Sequence, residues 1–158
     1  MIECRLDIRN ISVHKRLYRR EDVRGLMQRI CSEEGIEGPA ELSVLLCDDP
    51  FIRDLNVQYR NLDAPTDVLA FAQNRPSLDH PAVLGDIVIS LESVARHCGD
   101  HRNAMREDVR LLFCHGLLHL LGYTHKTAED RAVMQRKQAH YLGVTEEAAW
   151  RSRPQARS

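Results

Sequence analysis

The chain has 158 residues, enough for one domain with a substantial hydrophobic core, so a second domain is not required. Its 22 lysines and arginines nearly balance its 23 acidic residues, which excludes nucleic-acid binding driven by overall positive charge. The sequence has no secretion signal and no apolar run of about 18 residues. We therefore expect a soluble cytoplasmic protein that has no membrane partner.

Strands and helices alternate in the first part of the predicted structure. Polar and apolar residues alternate over 2–9, which is typical of a strand with one exposed face. Apolar residues then recur with helical spacing over 23–31, and Gly35 follows as a stop signal. The short apolar run over 42–47 predicts a buried strand.

A second helix is predicted to begin directly after that strand. Asp49 is suited to the N-cap position. Pro50 is suited to the first helical residue, because an N–H group would have no helical partner there in any case. Three side chains of this helix are expected to face inward: Ile52, Leu55 and Tyr59.

Two further strands are predicted over 68–71 and 84–90, and they complete a sheet of four strands. The residues beyond this sheet are helical in character, so the helices must flank the strands. Residues 1–150 are expected to form a single domain. Residues 151–158 are expected to form a polar, disordered tail.

Three helices are predicted after the last strand. The first covers 91–98, and the second is a long central helix that is capped by Asn103 and ends at Gly122. The third covers 128–142 and is stopped by glycine. The predicted fold class is therefore α+β: a small mixed four-stranded sheet flanked by helices.

The cysteines are consistent with a reducing compartment. Their number is odd, they are widely spread, and they include no C-x-x-C pair. Unpaired cysteines in the cytosol commonly behave as small buried apolar residues. We interpret the following residues as buried free thiols: Cys4, Cys31, Cys47, Cys98 and Cys114.

Three histidines form the strongest motif in the chain. His115 and His119 lie one turn apart on the same face of the predicted central helix, so their rings can share one metal ion. An uninterrupted helix would carry His125 about 15 Å beyond His115, whereas Zn–N bonds are only about 2.0–2.1 Å long. Gly122 lies where a turn is needed, because glycine adopts left-handed conformations without a Cβ penalty. The spacing therefore predicts one zinc ion bound by all three histidines.

Three imidazole ligands leave one of the four zinc positions open to water, the pattern of catalytic rather than structural zinc. The same spacing occurs in metzincin peptidases, where the residue after the first histidine is the catalytic glutamate. Here that residue is Gly116, so the motif lacks the general base of a peptidase. Gly116 has two possible interpretations: room for a bulky substrate beside the metal, or close packing against a neighbouring element.

The string HGLLHLLGYTH, which contains the three histidines, resembles the signature of the YbeY family of bacterial zinc-dependent endoribonucleases. That family acts in the maturation and quality control of ribosomal RNA. Residues 55–60 followed by 65–71 are similar to the family's second segment, and residues 84–90 to its third. One difference is specific: the family usually has an aspartate directly before the third histidine, and this chain has Thr124. A hydroxyl cannot serve as a carboxylate base.

The resemblance implies that zinc is held by His115, His119 and His125. It also implies that Arg60 takes part in RNA cleavage, which makes Arg60 a catalytic residue together with the ligands His115 and His119. RNA substrates, above all ribosomal RNA, and small-subunit ribosomal proteins are the implied partners, and no organic cofactor is expected. From residue type alone, an arginine at a helix end more often caps carbonyl groups or lies in solvent.

One dense basic cluster precedes and enters the first predicted helix. Such a cluster is suited to follow an RNA phosphate backbone, and a solvated polar face is an equally good interpretation. Aromatic residues are sparse, which disfavours binding by the stacking of many single-stranded bases. The cluster contains Lys15, Arg16, Arg19, Arg20 and Arg24.

Two other functions compete with a metal-dependent endoribonuclease that cleaves single-stranded RNA. The first is a zinc hydrolase of another substrate, such as a peptide, with its base supplied from outside the motif; Gly116 argues against it. The second is a zinc-stabilised RNA- or ribosome-binding factor with marginal nuclease activity. The near-neutral charge and Thr124 are compatible with this second alternative.

Overall fold

The computed structural model describes residues 2–73 and 82–150, and the helices and strands in these ranges follow the order expected from the sequence. They are β1 (Cys4–Asn10), α1 (Arg20–Glu33), β2 (Ala40–Cys47), α2 (Asp49–Arg60), β3 (Val68–Ala72), β4 (Ala82–Ser90), α3 (Leu91–Cys98), α4 (Arg102–Leu120) and α5 (Ala128–Leu142). The bounds of α3 and α5 are those that the sequence predicts. The expected tail over 151–158 lies outside the described residues. Within the described ranges, no helix combines the length and apolar composition needed to cross a membrane.

The four strands form one mixed sheet in the order β1-β2-β4-β3. β1 pairs with β2 and β2 pairs with β4 in parallel, whereas β3 runs antiparallel beside β4. In this register Ile8 lies beside Val44, and Val44 lies beside Ile87. α1 connects β1 to β2, because parallel neighbours need a long crossover connection. The predicted class, a mixed four-stranded sheet flanked by helices, is confirmed.

One face of the sheet carries the main core, and α4 lies at its centre. Inward side chains of β1, β2 and β4 meet α1 and α4 there. The large apolar side chains of α4 that are at most 2% exposed are Leu112, Phe113, Leu117 and Leu118. α2 covers part of the opposite face with a smaller cluster around Ile52. α4 is therefore held on a rigid base, which suits it to carry a functional site.

The N-termini of α2 and α4 lie slightly earlier than predicted. Asp48, not Asp49, is the N-cap of α2, and His101, not Asn103, is the N-cap of α4. The Asp49 carboxylate accepts a hydrogen bond from the Ser90 hydroxyl at 2.7 Å and so ties α2 to the start of α3. The Asp49 side chain therefore makes a tertiary contact instead of the helix cap that the local sequence predicts.

Tyr59 does not face inward, so that prediction is wrong. Tyr59 is 60% exposed, and its ring packs edge-on against Phe71 with 5.2 Å between the ring centroids. Asn56 is only 2% exposed and donates a hydrogen bond to the Ala64 carbonyl at 2.9 Å. α2 covers only part of the sheet, so its buried side is narrower than its apolar pattern suggests.

The cysteines, all within the described ranges, are free thiols, as predicted. Burial raises the pKa of Cys31, Cys47 and Cys114 to about 12. Cys98 departs from the prediction, since it is only partly buried at the end of α3. Cys114 is 0% exposed and belongs to the core, although it precedes the first histidine of the motif.

The structure decides between the two interpretations of Gly116. A Cβ atom at this position would lie 3.0, 3.2 and 3.3 Å from three side-chain carbons of Ile87. Ile87 is fully buried in β4, and its branched side chain has little rotational freedom. Gly116 therefore allows the close packing of α4 on the sheet rather than making room for a substrate.

We predict that Gly116→Ala destabilises the protein, although alanine is the better helix former. Overpacking costs about 1–3 kcal/mol, against about 1 kcal/mol gained in helix propensity. Urea unfolding of the zinc-free protein measures the difference without any contribution from metal binding.

The matched control is Gly25→Ala in α1, where an added Cβ meets nothing within 4 Å. This substitution should raise the free energy of unfolding by roughly 0.5–1 kcal/mol. A Gly116→Ala protein that is as stable as the wild type would contradict the packing argument.

Candidate metal centre

His115 and His119 project from one face of α4, as their spacing predicts. Their rings are nearly parallel, with an interplanar angle of 6° and centroids 6.3 Å apart. His115 is 5% exposed, and His119 is partly exposed at the end of the helix. The fully buried neighbours Leu117 and Leu118 anchor this part of α4 in the core, so the two rings have a rigid mount.

The chain reverses direction directly after α4. The N–H group of Gly122 donates to the His119 carbonyl at 3.1 Å and helps to close the helix. Gly122 has a φ of +107°, a conformation that residues with side chains rarely adopt. The reversal brings the His125 ring centroid to 5.4 Å from that of His115 and 6.2 Å from that of His119. The structure thus brings the three histidines of the motif together.

Two of the rings are held by hydrogen bonds at Nδ1. Nδ1 of His119 lies 2.8 Å from the Tyr123 carbonyl oxygen, and Nδ1 of His115 lies 2.9 Å from Oε1 of Gln138. A backbone carbonyl can only accept, so Nδ1 of His119 donates and its Nε2 carries the lone pair. Hydrogen bonds of this kind orient the histidines of metal sites.

The donor set fits a divalent ion such as zinc. Nε2 of His125 is buried and makes no hydrogen bond to any described residue. Two imidazoles that share one ion have ring centres roughly 5–6 Å apart, close to the 5.4, 6.2 and 6.3 Å observed here. Within the described ranges, no group of three His, Cys, Asp or Glu side chains already stands in metal-binding geometry. Binding of an ion by these three rings would therefore include some local adjustment.

Electrostatics favour the neutral form of His119. Burial lowers the pKa of its imidazole, and the hydrogen bond to Tyr123 opposes this shift. The nearby charges of His125, Lys126 and Arg60 lower the pKa further. A neutral imidazole is the form that binds metal.

Arg60 reaches this region from a different helix. It is the last residue of α2 and is partly exposed, and Asn61 ends that helix with a φ of +56°. The charge of Arg60 contributes to the lowered pKa of His119, so the guanidinium lies within electrostatic range of that histidine although it belongs to a different helix.

Sequence analysis missed two residues that contact the histidines. Trp150 packs edge-on against His115 and His125, with ring centroids 5.6 and 5.7 Å apart. Gln138 is 1% exposed and contacts His115 from α5. A signal for Gln138 is present in the sequence, because it lies one helical turn after the apolar Met134 on the buried face of α5.

A largely buried carboxylate holds the loop that follows α4. The Tyr123 hydroxyl donates to Glu34 at 2.5 Å, Lys137 Nζ lies 2.8 Å from the same carboxylate, and the Tyr141 hydroxyl also donates to it. Burial alone would raise the pKa of the Glu34 carboxyl, but these donors more than offset burial and hold that pKa below its usual value. Glu34 therefore ties the end of α1 to the loop whose Tyr123 carbonyl orients His119.

Thr124 occupies the position where the resemblance implies an aspartate. Its hydroxyl donates to the Asp130 carboxylate, in the first turn of α5, at 3.1 Å. A carboxylate is therefore present beside residue 124, although it comes from a different element.

The predicted basic cluster divides between two surfaces. Arg20 and Arg24 lie along a groove beside β1 that also contains Glu3 and Asp7. The other three residues of the predicted cluster lie in the segment before α1; they are Lys15, Arg16 and Arg19. Arg19 lines a pocket together with side chains of α4.

Two arginines of α4 join this second surface. Arg102 donates to the carbonyl oxygens of Lys15 and Arg16 at 2.8 and 3.1 Å, and Arg106 donates to the Arg16 carbonyl at 3.2 Å. We call Lys15, Arg16, Arg19, Arg102 and Arg106 the α4 basic patch. Within the described ranges, no ion pair involves a residue of this patch.

Comparison with known proteins identifies the family of this chain. The family profile described as Endoribonuclease YbeY matches residues 7–146. Endoribonuclease YbeY of Pelotomaculum thermopropionicum is 41% identical over 131 residues, which cover 78% of this chain and 86% of that protein. The protein of the same name from Bacillus subtilis is 35% identical over 130 residues, which cover 77% of this chain and 83% of that protein.

The fold has a counterpart among solved structures. The solution structure of a Thermotoga maritima protein matches with a TM-score of 0.61 and 25% identity, covering 96% of this chain and 99% of that one. The range matched by the family profile spans the positions of Arg60, the three histidines and Gln138, whereas Trp150 lies beyond it. The profile and the relatives together show that this chain belongs to the endoribonuclease YbeY family.

Proposed function

We propose that this chain is a zinc-dependent endoribonuclease that cleaves single-stranded RNA in the cytoplasm and acts in the maturation and quality control of ribosomal RNA. Membership of the endoribonuclease YbeY family supports the reaction class. The observation that carries the proposal is the group of three imidazoles whose ring centroids lie 5.4, 6.2 and 6.3 Å apart. The free thiols support a reducing compartment.

His115, His119 and His125 would hold the ion. Zinc supplies a Lewis acid that polarises a phosphoryl oxygen and lowers the pKa of coordinated water to about 7. The chain itself contributes neutral imidazoles, two of them oriented through hydrogen bonds at Nδ1. Trp150 covers one side of the group by packing against two of the rings.

Arg60 would bind the phosphate that is cleaved. A guanidinium presents two parallel N–H donors to phosphate oxygens and neutralises the charge that builds up in the transition state. Its electrostatic effect on His119 supports this role. Arg60 comes from α2, so it can bind substrate without taking part in metal binding.

We also propose that RNA is bound beyond the metal centre by the α4 basic patch. Arg102 and Arg106 are held by backbone carbonyls rather than by carboxylates, so their charge remains available for phosphates. Small-subunit ribosomal proteins stay the predicted partners, and co-sedimentation of the protein with small ribosomal subunits would test them.

A second candidate function is a zinc-stabilised RNA- or ribosome-binding factor with marginal nuclease activity. Thr124 favours it, because a hydroxyl cannot act as a base and the neighbouring Asp130 carboxylate already accepts its hydrogen bond. A zinc hydrolase of another substrate has less support, because residue 116 is a tightly packed glycine and not a glutamate.

Zinc-supplemented protein is predicted to carry about one zinc ion per chain. His119→Ala should lose most of this metal together with the thermal stabilisation that zinc gives, because a ligand that binds only the folded state stabilises it by mass action. His101→Ala, at the exposed N-terminus of the same helix, is the matched control and should keep both. Metal analysis and melting curves with and without chelator measure these effects. Full zinc content and an unchanged melting temperature in His119→Ala would remove His119 from the ligand set.

We expect Arg60→Ala to abolish RNA cleavage while zinc stays bound. The loss should appear in kcat, by about two to three powers of ten if it resembles the removal of an oxyanion-hole donor. Arg60→Lys keeps the charge but lacks the planar pair of donors, so it should restore only part of the activity. The measurement is cleavage of labelled single-stranded RNA by extensively repurified protein, with and without chelator.

Arg53→Ala in the same helix is the matched control, because its exposed ion pair with Asp63 contributes little to stability. It should cleave RNA at the wild-type rate. Equal cleavage by all variants at matched zinc content would mean that Arg60 only caps α2. Zinc loss in Arg60→Ala would assign its effect to the fold, and inactive wild-type protein that still binds RNA would favour the binding-factor alternative.

The α4 basic patch is predicted to bind RNA phosphates. Lys15→Gln combined with Arg19→Gln should weaken the binding of single-stranded RNA and flatten its salt dependence, by roughly 0.7 in the log–log slope for each phosphate that is no longer neutralised. Filter binding at several salt concentrations measures the slope.

The other two arginines of the predicted cluster provide the control for this experiment. Arg20→Gln combined with Arg24→Gln removes the same charge from the groove beside β1, where Glu3 and Asp7 already offset it. Its effect on the slope should be smaller. Equal slopes for the two double variants would argue against a specific role of the patch.

A further inference from the structure

Gln138 links His115 to the turn that follows α5. Its Nε2 donates to the Ala149 carbonyl at 2.7 Å, and its Oε1 lies 2.9 Å from Nδ1 of His115. Gln138 is 1% exposed and Ala149 is 0% exposed. The turn is closed by a hydrogen bond of 2.9 Å from the Ala149 N–H group to the Thr145 carbonyl. Both ends of the Gln138 amide are therefore engaged inside the protein.

The Ala149 carbonyl fixes which end of the Gln138 amide faces His115. A carbonyl oxygen can only accept, so the amide must direct its NH2 group toward Ala149 and its oxygen toward the ring. The amide oxygen also only accepts, so Nδ1 of His115 must carry the hydrogen. A neutral imidazole has one ring hydrogen, and the lone pair therefore lies on Nε2 of His115.

We propose that Gln138 is a positioning residue that selects the Nδ1–H tautomer of His115 and so prepares its Nε2 for a divalent metal ion. His119 obtains the same tautomer from the Tyr123 backbone carbonyl, which cannot rotate by itself. A glutamine amide by itself could rotate to face His115 with either end. The hydrogen bond from Gln138 to the Ala149 carbonyl holds it in one orientation. The inference rests on the proposed metal site, but the tautomer is a property of the metal-free protein.

The tautomer matters because an imidazole in water prefers its hydrogen on Nε2, the atom that would have to bind the ion. Without the bond to Gln138, metal binding would include a tautomer change and would lose the restraint on the ring. Loss of comparable hydrogen bonds behind metal ligands lowers metal affinity by about 10–100-fold.

Gln135 provides a control for a purely structural role of Gln138. Its Nε2 donates to the Glu146 carbonyl at 2.6 Å, so it also ties α5 to the segment after it. Gln135→Met and Gln138→Met both remove such a tie, but only the second removes the bond to His115. Gln138→Glu is the conservative variant, because a carboxylate still accepts from Nδ1 but cannot donate to the Ala149 carbonyl.

The experiment applies three measurements to the wild type and to Gln138→Met, Gln138→Glu and Gln135→Met. Proton–nitrogen correlation NMR of the zinc-free proteins, at a pH where the imidazoles are neutral, identifies the nitrogen of His115 that carries the hydrogen. Competition with a chelator gives the Kd for zinc. Thermal unfolding of the zinc-free proteins reports the effect on the fold.

The wild type, Gln138→Glu and Gln135→Met should all carry the His115 hydrogen on Nδ1 and bind zinc with similar Kd. Gln138→Met should show the hydrogen on Nε2 and a Kd for zinc that is about 10–100-fold higher. If Gln138→Glu keeps the tautomer and the zinc affinity while Gln138→Met loses both, the hydrogen-bond acceptor that faces Nδ1 of His115 is responsible.

Three outcomes would overturn the inference. Wild-type protein with the His115 hydrogen on Nε2 would do so at once, even if Gln138→Met fails to fold. Gln138→Met protein with the wild-type tautomer and Kd would mean that Gln138 serves only packing. Equal weakening of zinc binding by Gln135→Met would make the turn responsible. Wild-type protein that binds no zinc would instead refute the metal site, while the NMR measurement would still decide the tautomer.

Discussion

The candidate site depends on the burial of one helix end. Leu117 and Leu118 are completely buried, and Gly116 lets α4 lie close to the sheet. Full burial of two leucines stabilises the protein by about 3–6 kcal/mol and fixes the rotation of α4 about its axis. That rotation decides where His115 and His119 project. The rest of the chain then has to supply a third ring and to hold all three in place.

The supports come from parts of the chain that are distant in sequence. Glu34 at the end of α1 holds the loop through the Tyr123 hydroxyl, Gln138 reaches the site from α5, and Trp150 follows the last helix. The carboxylate of Glu34 receives donors from Lys137 and from two tyrosines, so the network is well satisfied. Buried polar networks rigidify a site when their groups are paired. The hydrogen bonds to His115 and His119 both lie on the Nδ1 side of the ring.

Positive charge is distributed unevenly over a chain whose net charge is −1. Arg60 acts electrostatically on His119 near the C-terminus of α4, whereas the α4 basic patch lies around the N-terminus of that helix. A helix of 19 residues is about 28 Å long. On the proposed function, an RNA strand would contact both regions only by running along this helix. Low net charge reduces non-specific attraction, so RNA binding would depend on these local groups.

The sequence by itself determined what depends on local geometry. Helical and strand periodicity predicted the elements, and the bounds of α5 were correct because its stop signal, Gly143, lies in the sequence itself. The three-histidine motif was predictable for the same reason, since helical spacing and the conformational freedom of Gly122 are local properties. Only the tertiary structure decided that Tyr59 is exposed and that Gln138 and Trp150 contact the histidines. Those outcomes depend on which face of a helix another element covers, and packing between distant segments leaves little signal in the residues themselves.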